Sequence, residues 1–290
     1  MCRLFAMSGG SRAVHATFWL LDAPHSLASQ SRREPDGTGL GYFTGAGAPR
    51  VDKQPIAAYE DRAFAEDART VRSRTFVAHV RFGYTGEVAT RNTQPFEQCG
   101  RLLANQGLVE ELPKLDERLG AARGLVKGET DSERVFALIT KLADENGGAL
   151  DRAIADAATW IARSLPLYGL NIMLVTRNEL WALRYPDSDH LYVLERRAGG
   201  PSGDRHADHA SASGRIRVRS HDLREAPAVV VASERMDEDP GWRLLAPGEL
   251  VHVDASLRVT SHQAVDGLPD RRIRLEDLGE RAIEAARAEP

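Results

Sequence analysis

MCRLFAMSGG, residues 1–10, sets the problem. Arg3 to Gly9 is a short apolar run closing on glycine, which reads as a strand. Directly ahead of that strand stands Cys2. If an aminopeptidase removes Met1, Cys2 becomes the first residue and carries a thiol and a free α-amine on one Cα. The amine titrates near ~8 and the thiol near ~8.5, so each is close enough to neutrality to serve the other. One residue then supplies both a nucleophile and its general base. A cysteine left behind by chance at a start site is the competing explanation, and the rest of the chain decides between them.

Four further stretches bear on that choice: HVRFGYTG at 79–86, NTQPF at 92–96, LLANQGLV at 102–109 and GETDSE at 128–133. The first follows a β-rich run over 75–80, and a second β-rich run covers 101–104. Thr130 with Glu133 is a capping-box pattern, which predicts a helix from near Asp131. A helical period also runs through Leu150, Ile154, Ala157, Ala158, Ile161 and Leu165. Shorter helices are expected over 13–21, 59–70 and 275–288, a Gly-rich turn entering a strand over 34–43, and strands over 171–175, 179–185, 190–195, 215–219, 228–233 and 249–254. Many short strands joined by short turns point to antiparallel sheets, here covered by helices. The segment 197–214 is rich in Gly, Ser and Asp and reads as a mobile loop. Its His206 and His209 have no acidic or cysteine partner at ligand spacing, so no metal site is expected.

Bulk composition narrows the class. The 290 residues carry 38 basic and 42 acidic side chains, a net charge of −4, which gives no electrostatic footprint for nucleic acid. Two cysteines, Cys2 and Cys99, make neither a disulfide framework nor a zinc site and fit a reducing compartment. No apolar run nears the ~20 residues that span a bilayer, and the N-terminus lacks a leader pattern, so a cytoplasmic protein is expected. GTGLG at 37–41 lacks the lysine and helix of a phosphate loop and reads as a tight turn. No cofactor is expected.

Taken together, MCRL, HVRFGYTG, NTQPF, ANQG, ETDSE and the later VASERMDEDPGW at 231–242 resemble the class II glutamine amidotransferases, a branch of the N-terminal nucleophile hydrolases. The style is that of stand-alone members such as the γ-glutamyl amidohydrolases of ergothioneine-type pathways. The resemblance runs from residue 2 to about 260. It implies an α+β fold, a four-layer αββα sandwich, as one domain over 2–290. It also implies roles. Cys2 attacks the side-chain amide of glutamine or a γ-glutamyl compound, and its α-amine shuttles the proton. Arg81 grips the substrate α-carboxylate, aided by Thr85, and Asp131 pairs with the α-ammonium. Gln106 and Gly107 stand where the family's H-N-G turn forms an oxyanion hole. Gln106 replaces the family's Asn and reaches one methylene further, roughly 1.5 Å. Aligning Asn105 with that Asn instead places the glycine one residue too late. Gln94, Tyr84 and Arg235 depart from the family pattern as well, so either the leaving-group side is adapted to a γ-glutamyl amide other than glutamine or the chemistry is weakened in a regulatory binding protein. With no acceptor motif in the sequence, released ammonia or amine goes to solvent or to a separate synthase subunit.

Overall fold

The computed structural model describes residues 2–83, 86–198, 226–280 and 283, with the backbone of 208–210 and 217–219. Two antiparallel sheets stack face to face. The first contains β1 (Arg3–Ser8), β2 (Thr38–Phe43), β3 (Pro49–Gln54), β4 (Thr75–Val80), β9 (Tyr192–Arg196), β12 (Ala228–Ala232) and β13 (Arg243–Leu244), in the order β13-β9-β12-β1-β4-β2-β3. The second contains β5 (Phe96–Gln98), β6 (Arg101–Val109), β7 (Leu167–Val175), β8 (Leu180–Leu183), β14 (Glu249–Val253) and β15 (Val259–Gln263), in the order β15-β14-β8-β7-β6-β5. A separate ribbon pairs β10 (Asp208–Ala210) with β11 (Arg217–Arg219).

The period-2 alternation of the strands explains the layers. On β1, Leu4 and Ala6 face the core between the sheets, while Phe5 and Met7 face outward. That outer face is covered by α1 (Leu27–Gln30), α2 (Arg62–Thr70) and a wide turn over Phe18–Asp22, burying Trp19 and Phe64. On β6, Leu102 and Ala104 face the inter-sheet core and Leu103 faces the other way. Against that face pack α3 (Leu112–Leu119), α4 (Asp131–Glu145) and α5 (Leu150–Ser164), through Phe136, Ile139, Ile154 and Ile161. The result is the αββα sandwich.

The N-terminus of α4 forms as its residues dictate. Thr130 is extended, and its hydroxyl accepts the Glu133 N–H at 3.3 Å. Glu133 turns outward from the helix and accepts the N–H groups of Lys127 and Gly128 at 3.1 and 2.6 Å. One helix expectation fails, and another is displaced at its start. Within 13–21 only the last residues wind, because Val14 exchanges both backbone hydrogen bonds with Ser73 in an extended pairing. At Leu275 a single 3-10 turn ends by Asp277, whose carboxylate accepts the Arg274 N–H; most of the expected helix beyond it lies outside the described residues. So does most of the 197–214 loop, including the side chains of His206 and His209.

Phe136 lies at the centre of the helix-facing core and is fully buried. Phe136→Ala is expected to cost about 3–5 kcal/mol of unfolding free energy, measured by urea denaturation. A loss below about 1 kcal/mol would mean that the helix layer is not packed as described.

Candidate active site

Cys2 is held by the anchoring of β1 behind it. The Leu4 N–H donates to Ser233 Oγ at 3.0 Å, and the Ser233 N–H returns a bond to the Leu4 carbonyl at 3.1 Å. Arg3 is buried and pairs with Glu34 at 3.4 Å and Glu234 at 2.7 Å, while a third donor reaches the Cys2 carbonyl at 3.2 Å. Cys2 itself is half-buried. Its sulfur accepts the Phe82 N–H at 3.2 Å, and its thiol donates to the Phe82 carbonyl at 3.4 Å. Burial pushes the thiol pKa up, and the Phe82 N–H and the nearby Arg81 charge pull it back in part.

Three elements converge on this thiol. β4 runs antiparallel to β1, with Arg3 opposite Val80, and so delivers His79 and Arg81 beside Cys2. β6 delivers Asn105 and Gly107, and the start of α4 delivers Asp131. All of these line one cavity of about 30 Å³, room for about one water. Arg81 is buried and donates to the carbonyls of Glu87 and Gly86 at 3.0 and 3.2 Å. Burial lowers its pKa, offset by Cys2 and Asp36. One oxygen of Asp131 accepts the Val109 N–H at 2.9 Å, tying the helix start to the end of β6. Thr85, the remaining substrate-binding candidate, lies outside the described residues, as does Tyr84.

Asn105, Gln106 and Gly107 were expected in a turn, and instead they continue β6, paired with Ile172, Asn171 and Leu170 of β7. Local residue types gave no hint of that long-range partner. Gly107 has φ +148°, and a Cβ there would lie 1.7 Å from the Gly169 carbonyl oxygen, so only glycine fits. Strand alternation sends neighbouring side chains apart. Asn105 reaches the helix layer, donating to Ser132 Oγ at 3.1 Å. Gln106 continues the register of Leu102 and Ala104 and lines a second cavity of about 500 Å³ with Arg3, Tyr192, Ser233 and Glu234. Its side-chain oxygen is buried with no hydrogen-bond partner among the described residues.

Two residues of this site had no role in the sequence reading. Gln94 stands where the β5–β6 ladder, with Phe96 opposite Leu103, would place a residue opposite Asn105. Its side-chain amide takes over the ladder, accepting the Asn105 N–H at 2.7 Å and donating to the Asn105 carbonyl at 3.0 Å. A primary amide has the donor and acceptor that this needs; the motif NTQPF carried the signal. His79 is fully buried against the cavity, and neither ring nitrogen has a hydrogen-bond partner among the described residues. Burial, with Arg81 and Lys53 nearby, lowers its pKa to about 3.

The family model for class II glutamine amidotransferases matches residues 1–269. The chain belongs to the class II glutamine amidotransferases. Within the family it is 30% identical over 271 residues to a γ-glutamyl-hercynylcysteine sulfoxide hydrolase of Mycolicibacterium smegmatis, covering 90% of this chain and 99% of that one. It is 29% identical over 226 residues to a putative glutamine amidotransferase of Escherichia coli, covering 74% and 83%. Among solved structures, the glutamine phosphoribosylpyrophosphate amidotransferase of B. subtilis superposes with a TM-score of 0.63 at 17% identity, over 92% of this chain and 50% of that one. A class II domain protein from Silicibacter pomeroyi superposes at 0.56 with 21% identity, over 91% of this chain and 100% of that one. Those likenesses establish the N-terminal nucleophile hydrolase fold; this amidotransferase chain spans half the length of the first structure. Among the described residues no helix is long and apolar enough to cross a membrane, and no group of three or more His, Cys, Asp or Glu is placed to hold a metal.

His79 gives the amidotransferase fold a definite acid sensitivity. Its pKa falls from 6.5 to about 3 on folding, so as pH drops through that window the unfolded chain takes the proton and the folded one does not. Stability held above pH ~6.5 is lost toward pH ~3. Urea melts at several pH values should show a shallower decline for His79→Gln, which cannot titrate. Parallel declines would refute a neutral buried His79.

Proposed function

We propose that this class II amidotransferase hydrolyses a γ-glutamyl amide through a thioester on Cys2. The observation that carries the proposal is the shared cavity of Cys2, Arg81, Gly107 and Asp131. Arg81 and Asp131 supply one charge of each sign for an α-amino acid head group, with Thr85 as a further contact. Guanidinium suits the carboxylate because its fork meets both oxygens. Removal of Met1 frees the α-amine of Cys2, which takes the thiol proton. The thiolate attacks the amide carbon and forms a C–S bond, and charge collects on the carbonyl oxygen. The Gly107 N–H holds that oxyanion, and Gln106, which lines the second cavity, faces the leaving amine. Collapse breaks the C–N bond, and the amine leaves with the proton from the Cys2 ammonium. Water then cleaves the thioester to give glutamate and regenerates the thiol.

The second cavity supports a leaving amine larger than ammonia. Cys2 and Arg3, like Gln106 and Gly107, are consecutive residues that line the first and second cavities respectively or in reverse. A space of about 500 Å³ on that side would stand empty behind free glutamine. The name of the Mycolicibacterium smegmatis relative, a hydrolase of a γ-glutamyl conjugate, agrees with this reading. The amine is released to solvent under this proposal; ammonia transfer to a synthase subunit is the competing outcome.

Glutamate release from glutamine and from γ-glutamyl conjugates of larger polar amines tests the proposal, with intact mass to read Met1. The expected result is protein lacking Met1, kcat/KM at least tenfold higher on a conjugate, about 1.4 kcal/mol in the barrier, and no turnover by Cys2→Ser. Arg81→Gln and Asp131→Asn should raise KM strongly with little change in Tm. Turnover that survives Cys2→Ser, or full activity with Met1 retained, would overturn the mechanism.

A further inference from the structure

At the far end of the central strands from Cys2 lies a third cavity, of about 300 Å³. It is lined by Arg72, Arg74 and Arg177 together with Ser11 and Ser73, with no carboxylate among the described lining residues. Arg74 directly precedes β4, whose other end leads into Arg81, and six strand residues at about 3.3 Å each put roughly 20 Å between the two ends.

Each guanidinium is tethered to a neutral acceptor. Arg72 donates to the Ala13 carbonyl at 2.9 Å, Arg74 to Asn178 Oδ1 at 2.8 Å, and Arg177 to the Gly45 carbonyl at 2.9 Å. The hairpin between β2 and β3 closes on Arg177: Gly47, at φ +91°, leaves the room that a Cβ 2.8 Å from its Nη1 would fill. Among the described residues none of the three has an ion-pair partner. Other arginines of the chain, such as Arg3, Arg134, Arg163 and Arg243, pair with carboxylates. Three uncompensated like charges held around one cavity repel, and each guanidinium has five N–H donors, of which one tether uses only a part.

We infer that this cavity is a binding site for a phosphorylated small molecule. A carboxylate is flat and satisfies one guanidinium fork, whereas three forks from three directions suit the tetrahedral oxygens of a phosphate dianion. The volume is about ten times the ~30 Å³ share of one water, so the group that carries the phosphate is accommodated too. Among the described lining residues no histidine, cysteine or carboxylate stands by to activate the Ser11 or Ser73 hydroxyl, which makes it a site of binding and not of turnover.

The test uses the full chain with inorganic phosphate and pyrophosphate as probes, read by thermal melting and titration calorimetry against sodium chloride at equal ionic strength. Pyrophosphate at saturating concentration is expected to raise Tm by roughly 2–5 °C, with phosphate weaker. Arg72→Gln with Arg177→Gln should remove the shift, and each single substitution should weaken binding at least fivefold. Arg152→Gln, on the solvent face of α5, should leave it unchanged. No shift in the unmodified protein, or an equal shift in the single variants, overturns the site. Should the double variant fail to fold, calorimetry on the single variants decides. Because binding is read without turnover, the outcome is independent of the chemistry at Cys2.

Discussion

The ion cluster around Arg3 is the constraint on which the site depends. This guanidinium is 2% exposed and sits between Glu34, at 1%, and Glu234. Burying such a group is costly, and losing one partner of a buried pair typically costs about 3–5 kcal/mol. What the cluster provides is position. It holds the Cys2 carbonyl from one side while Ser233 clips Leu4 from the other, so the head of β1 cannot fray as a chain terminus normally does. Burial raises the Glu34 pKa, and Arg3 is the first of the charges that oppose it.

From that fixed point the sandwich assembles the remaining groups by register. Pairing of β1 with β4 sets Arg81 beside Cys2, and pairing of β6 with β7 sets Gly107 against Gly169. The loop stretches lock to one another as well. Asn92 accepts the Glu129 N–H at 2.9 Å and donates to the Glu129 carboxylate at 3.0 Å, joining the NTQPF and GETDSE motifs. Gln94 then braces Asn105 as a substitute strand. Motifs far apart in the chain are thus parts of one hydrogen-bonded frame.

How much of this was legible follows from the range of the forces involved. Thr130 caps α4 through a contact three residues away, so the helix start at Asp131 could be read directly. The identity and order of the motifs carried the family, and with it the sandwich. Pairings that reach across the fold could not be read. Val14 is drawn out of a helical pattern by Ser73, and the NQG segment is drawn out of a turn by β7. The same long-range pairing decides which cavity Gln106 faces, a question that its side-chain chemistry alone left open. His79 read as part of a motif, yet its burial and low pKa arise only when β4 lies between β1 and β2.

The central claim is that Cys2 is the nucleophile of an amino-acid site formed by Arg81 and Asp131. It is tested most directly by incubating the protein with a diazo-ketone analogue of glutamine and mapping the adduct by peptide mass spectrometry. The account predicts one adduct per chain, on the N-terminal peptide at Cys2, suppressed by excess glutamate and strongly slowed in Arg81→Gln. Labelling of exposed Cys99 with Cys2 unmodified, or labelling of Cys2 that neither glutamate nor the Arg81 substitution affects, would contradict it.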